Sequence, residues 1–205
     1  MLTLSPRADL RRRLCQLLPG LCACGLGLAL MVLADLGLGP WEALHQGLSA
    51  RTGVPIGTTG ILVGMAVLVA WVPMRQRPGI GTVCNVVLIG LVIDAVLAVA
   101  PEPAGLVARV LYMGAGIVLF GLGSGLYIGA GLGPGPRDGL MTGVAARGHS
   151  LRLVRTLLEL SVLAVGWALG GSVGIGTIAF ALCIGPLVQA FLGRLTLPAL
   201  TAPAE

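Results

Sequence analysis

Apolar residues run through this chain in six long blocks: Leu17–Asp35, Ile56–Val72, Ile80–Ala100, Leu106–Ala130, Thr156–Leu169 and Val173–Leu192. A helix needs about 20 mainly apolar residues to cross a bilayer. Five blocks come close to that length or exceed it, and the fifth, Thr156–Leu169, is the short one. The pattern predicts an all-α membrane protein with six transmembrane helices. Between the long blocks lie two short stretches with a helical pattern, Pro40–Ala50 and Pro136–Ala146. Neither is long enough to cross. Each is expected to lie at the membrane interface or to re-enter the bilayer as a half-helix lining a cavity.

Composition removes the alternatives. Of 205 residues, 56% are hydrophobic and only 10% charged, with a mean hydropathy of +0.98. A soluble domain carries about 25% charged residues, so a soluble globular enzyme, a disordered chain and a disulfide scaffold are all excluded. The 33 glycines against 4% aromatics predict closely packed helices. The five cysteines, Cys15, Cys22, Cys24, Cys84 and Cys183, have no paired metal-ligand spacing and read as small packing residues. The net charge of +5 comes from 13 basic residues, all arginine, set between apolar blocks. That is a topology signal and not a nucleic-acid signal. With the N-terminus inside, Arg7, Arg11, Arg12, Arg13, Arg75, Arg77, Arg137, Arg147, Arg152, Arg155 and Arg194 fall inside; only Arg51 and Arg109 fall outside. The positive-inside rule then puts both termini in the cytoplasm. The apolar run from Leu14 to about Ala34 is too long for a cleavable signal. The expected organisation is a basic cytoplasmic segment over 1–16, membrane regions over 17–100 and 104–195, and a cytoplasmic tail over 196–205.

The two membrane regions repeat each other. Laid on one another at an offset of 96, Gly25–Arg51 and Gly121–Arg147 agree at 13 of 27 positions. Trp71 meets Trp167 at the same offset. With one residue dropped, Gly79-Ile80-Gly81-Thr82 meets Gly174-Ile175-Gly176-Thr177. Each repeat holds three spans. An odd number makes the second copy enter the membrane from the other side, which predicts two inverted three-helix repeats, a layout common among secondary transporters.

Each repeat also carries a G-x-G-P element after its first span: Gly37, Gly39 and Pro40, then Gly133, Gly135 and Pro136. Glycine ends the span, and proline opens the short helix at a position where a missing N–H costs nothing. Glu42 and Asp138 fall in the first turns, beside the positive helix end, with Arg137 next to Asp138. On the first short helix Glu42, His45 and Ser49 share a face, and Trp41, Leu44 and Leu48 share the other. This pattern suits a polar site at a broken helix and equally a capped amphipathic helix on the membrane surface. In the second copy Met141 replaces His45. Within the spans, Asn85, Asp94 and Glu159 are the polar positions of interest. An ionised group in hydrocarbon is costly and faces the bundle interior or water. Asp94 suits a proton or cation carrier or a hydrogen-bonded group near a helix end. Glu159 lies four residues after Arg155 and can pair with it. Thr82 and Thr177 suit hydrogen bonding between helices.

There is no Walker A pattern, G-x-S-x-G elbow, H-E-x-x-H or T-V-G-Y-G filter. No catalytic residue, metal ligand or cofactor is nominated. The expected function is a small secondary transporter or permease-like protein, not an enzyme. The broken helices would line its pathway, Asn85, Asp94 and Glu159 would supply polar contacts, and a small solute or ion of unknown identity would be its cargo. The rival is a non-transporting membrane scaffold or accessory subunit. The expected partner is the lipid bilayer and not nucleic acid; homo-oligomerisation is left open.

The segments G-L-G-P-W-E-A-L-H-Q-G-L-S, R-P-G-I-G-T-V-C-N, G-L-Y-I-G-A-G-L-G-P-G-P-R-D-G-L-M-T-G and R-x-V-R-T-x-x-E together resemble the YczE/YyaS/YitT family of bacterial integral membrane proteins. The resemblance covers about residues 10–195. Its most specific piece is Gly135–Met141, and Glu42 stands where aspartate is more usual. It implies a multi-pass protein of the bacterial inner membrane.

Overall fold

A computed structural model describes residues 6–198. Residues 1–5 and 199–205, the ends of the two segments read as cytoplasmic, lie outside the described residues. Eight helices are present among the described residues: α1 Pro6–Ala34, α2 Pro40–Thr52, α3 Ile56–Trp71, α4 Ile80–Val99, α5 Gly105–Gly129, α6 Pro136–Ala145, α7 Leu151–Ala168 and α8 Ile175–Leu195. Four of them, α1, α4, α5 and α8, are long and apolar enough to cross a membrane. A fifth crossing comes from counting α2 and α3 together, a pair bent by 113° at its break. The expected fifth span sits in α7, an 18-residue helix that carries Arg152, Arg155 and Glu159 in its first half. Its length suffices for about 27 Å of rise, but its charge sets it apart from the other four.

The α1–α5 contact is the spine of the bundle. Gly27 and Gly116 meet face to face, and a Cβ added at either would stand 2.6 Å from the other's carbonyl oxygen. The absent side chains let the two backbones touch, which no larger residue permits. Leu17, Leu21, Cys24, Leu28 and Met31 of α1 are fully or almost fully buried. α4 packs on α1, and α8 on α5. The short helices sit outside this spine: α2 on α7 and α3, and α6 on α3 and α7. Lipid-sized apolar side chains cover the outer faces, among them Val87, Leu91, Val110, Leu157, Ile178 and Leu182.

The α1–α2 and α5–α6 connections fold alike. Gly37 and Gly133 take the left-handed region, at φ +108° and +125°. Each connection then seats on the first turn of the long helix from the other half. The Gly176 N–H donates to the Leu36 carbonyl at 2.8 Å, and the Gly81 N–H donates to the Leu132 carbonyl at 2.9 Å. Thr82 and Thr177 complete the two seats. Each hydroxyl accepts from the glycine N–H three residues earlier, both at 3.2 Å, and Thr82 also donates to the Pro134 carbonyl at 2.7 Å.

The largest contact without a counterpart among the described residues lies in the first half. α3 packs closely on α4, while α7 and α8 make no comparable contact. The cause lies in the sequence. Gly57 faces Gly90 there, and Asp94 closes over the start of α3. In the second half Leu153 stands at the place of Gly57 and Gln189 at that of Asp94. Gly185, which matches Gly90, has open space before it.

Several arginines make specific packing contacts. The basic stretch 11–13 belongs to α1, and Arg13 is buried, paired with Asp9 at 2.9 Å and donating to the carbonyls of Ala130 and Pro198. Arg109 ties the start of α5 to the end of α1, through the Ala34 carbonyl at 2.8 Å and Asp35 at 2.5 Å. Among the cysteines only Cys24 is a core residue, close to Ser124 at 3.8 Å; Cys15, Cys22 and Cys183 are exposed on the outer surface.

Candidate functional site

The two short helices start in the same way. Gly39 and Gly135 precede them in extended conformation, at φ/ψ of −62°/163° and −63°/157°, and Pro40 and Pro136 supply the first helical residue. Proline lacks only a donor that would have no helical acceptor there. The next residues are Trp41-Glu42 in α2 and Arg137-Asp138 in α6, so equivalent positions hold an aromatic in one half and a cation in the other.

These unlike residues meet. Arg137 Nη2 donates to Glu42 Oε1 at 2.5 Å, and the guanidinium carbon lies 5.1 Å from the centre of the Trp41 ring. Arg137 therefore stacks on one neighbour and pairs with the next, an arrangement suited to a planar cation. Burial is one-sided: the Glu42 side chain is 4% exposed and that of Arg137 30%. Asp138 is exposed and Tyr127 is buried, with the Tyr127 hydroxyl 3.5 Å from Asp138 Oδ2. The cluster is thus shut on the α2 side and open on the α6 side.

Two buried atoms have no hydrogen-bond partner among the described residues, Glu42 Oε2 and Trp41 Nε1. Glu42 Oε2 lies over Gly39 beside the Phe180 ring. His45 is also buried, and Gly60 of α3 leaves room for its ring. The polar face of α2 thus turns inward at Glu42 and His45. Trp41, set on the opposite face in the sequence reading, is buried too.

α6 is anchored from α3. Trp71 Nε1 donates to the Pro136 carbonyl at 3.1 Å, and its ring lies flush on Gly139, where any side chain would collide. Trp167, its counterpart in the repeat, is exposed.

The other nominated residues lie elsewhere. Asp94 takes hydrogen bonds from the Gly57 N–H at 2.6 Å and from the Thr58 N–H and hydroxyl, both at 2.7 Å. It caps α3 from α4, which is the hydrogen-bonded role open to it in the sequence. Glu159 pairs with Arg155 at 3.0 Å on an exposed face. Asn85 is half-buried on α4, on the side of Thr82. Gly37 and Gly133 shape the two connections. Sequence reasoning passed over Trp41, Tyr127 and Trp71 as contributors to the cluster. One signal for the pairing was available: Arg137 puts a cation at the place of Trp41, directly after a G-x-G-P element that both halves share.

Residues 11–193 match a family of unknown function, DUF6198. The chain belongs to that family. The chain is 42% identical over 177 residues to an uncharacterized protein of Haemophilus influenzae, covering 86% of this chain and 81% of that protein. It is 35% identical over 174 residues to the uncharacterized membrane protein YczE of Bacillus subtilis, covering 83% and 80%. Over 180 residues it is 28% identical to the uncharacterized protein YyaS of the same organism, covering 84% and 89%. This DUF6198 protein is therefore a multi-pass membrane protein with bacterial relatives, as its resemblance to YczE and YyaS implied. No solved structure matches it.

Proposed function

We propose that this chain is a small secondary transporter of the permease type, with six crossings in two inverted halves. It would reside in the bacterial inner membrane with both termini in the cytoplasm and would act without catalysis. The observation that carries the reading is the Arg137–Glu42 pair, which joins the starting turns of two helices too short to cross a bilayer. Thirteen residues rise about 20 Å against a hydrocarbon core of about 30 Å. Broken helices whose positive ends converge on one place are how several transporter folds build a substrate site. The reciprocal seating of Leu36 on Gly176 and Leu132 on Gly81 supports two matched halves. The odd number of spans in each half supports their inversion. The open α6 side, with Asp138 exposed, supports a water-reachable pathway over a tightly packed scaffold.

The test is thiol labelling in a cysteine-free background with single cysteines at 45 and 138. A transporter lets a membrane-impermeant reagent reach both positions, each from its own side of the membrane. Protection of both from either side would favour the scaffold.

A further inference from the structure

We propose that Arg137 binds the carboxylate of a small solute, and that Glu42, displaced from Arg137 by that carboxylate, takes up a proton. The inference deepens the permeation reading and rests on it for its biological role.

Arg137 has five N–H donors in a planar fork. Its hydrogen bond to Glu42 Oε1 uses one of them, and 30% of its side chain is open on the α6 side. Beside it, Trp41 Nε1 is a donor without a partner in a residue 6% exposed. The starting turns of α2 and α6 add their positive ends. Four of the five Arg137 donors thus have no hydrogen-bond partner among the described residues, and a second oxygen pair would satisfy two of them. The acceptor already present is a carboxylate, so the geometry of the fork suits another one.

Glu42 is the group that must yield. It is 3% exposed, and its Oε2 has no donor facing it. Arg137 is the cation that neutralises it. Once Arg137 turns to a solute, an ionised Glu42 would be left in a dry site with no counter-charge, so the neutral acid is the stable form. The balance is simple: one anion enters, one proton adds to Glu42, and the net charge of the site is unchanged. The other titratable groups facing the pair are His45 on α2, Asp138 on α6, Tyr127 on α5 and Cys24 on α1. α3 carries no titratable side chain, α7 and its end turn Gly166 and Leu169 to α2, and α8 brings Phe180.

The experiment measures acetate affinity of the purified full chain in detergent, from the rise of its thermal midpoint with acetate concentration. Sodium chloride is the control. Wild type should bind acetate with an affinity that weakens about tenfold per pH unit as pH rises, the signature of one proton bound with each anion. Glu42→Gln should bind acetate with no pH dependence. The double variant Glu42→Gln/Arg137→Gln, which leaves no lone charge, should lose binding. His45→Gln should keep the wild-type slope. An acetate effect no larger than that of chloride, or an affinity flat with pH, would overturn the proposal. So would binding in the double variant, or loss of the slope in His45→Gln. If Glu42→Gln does not fold, the wild-type and His45→Gln slopes still decide. Acetate binding without labelling from both sides would leave a carboxylate-binding protein that does not transport; labelling without binding would leave a transporter of another substrate class.

Discussion

Arg137 and Glu42 stand 95 positions apart in the chain and meet at 2.5 Å, one in the first turn of each short helix. The pair is unequal: the carboxylate is enclosed and the guanidinium can reach the open side.

That inequality predicts an unequal mutant cycle. Arg137→Ala leaves a buried carboxylate unpaired and should cost about 3–5 kcal/mol. Glu42→Ala leaves a cation that can turn outward and should cost distinctly less. The double variant should recover much of the loss from Arg137→Ala. Thermal unfolding of the four proteins in one detergent checks this. Equal costs for the two single variants would mean that the pair is equally buried at both ends.

Asp94 closes the start of α3 from α4 with three accepted hydrogen bonds. Asp94→Ala should therefore destabilise the fold by about 1–3 kcal/mol, as loss of a charged cap does. An asparagine in its place can still accept through one oxygen but turns its amide group toward N–H donors, so Asp94→Asn should fall between alanine and wild type. The measurement is again thermal unfolding. A stable Asp94→Ala would show that the cap is dispensable and return Asp94 to the functional carboxylates.

The spine predicts its own weak point. Gly27 and Gly116 leave no room for a Cβ. Gly116→Val must push α5 from α1, and over-packing of this kind costs about 1–3 kcal/mol or more. Monodisperse yield in mild detergent should fall sharply. Gly114→Val, two residues away and facing open space, should be tolerated and serves as the control.

Orientation is testable at the loops. With both termini inside, a single cysteine at position 102 should react with an impermeant thiol reagent added to intact cells, and one at 76 should react only after the membrane is opened. The opposite pattern would turn the whole assignment over.

Much of this protein was legible in its linear pattern. Hydropathy acts on each residue through its own surroundings, so blocks of apolar residues announce membrane helices without any knowledge of their neighbours. The short helices were equally readable, because glycine and proline act on local backbone geometry: α2 and α6 begin at Pro40 and Pro136, where the G-x-G-P elements put them. Repetition at offsets of 96 and 95 pairs the residues that turned out to form the two seats, Leu36 with Leu132 and Gly81 with Gly176. What the pattern could not hold was the choice of partner. Glu42 and Asp94 look alike in the sequence, as isolated carboxylates in apolar company, whereas Glu159 follows Arg155 by one turn. Packing gave the first to Arg137 in the other half and the second to the N–H groups that open α3, while Glu159 took the neighbour that its i, i+4 spacing offered. The difference arises because a buried charge is stabilised by whatever donor the fold brings within about 3 Å, and such proximity is a property of helix packing. The same holds for the unmatched α3–α4 contact. Gly57 and Leu153 are each unremarkable in sequence, and only the closeness of α4 turns a missing side chain into a contact.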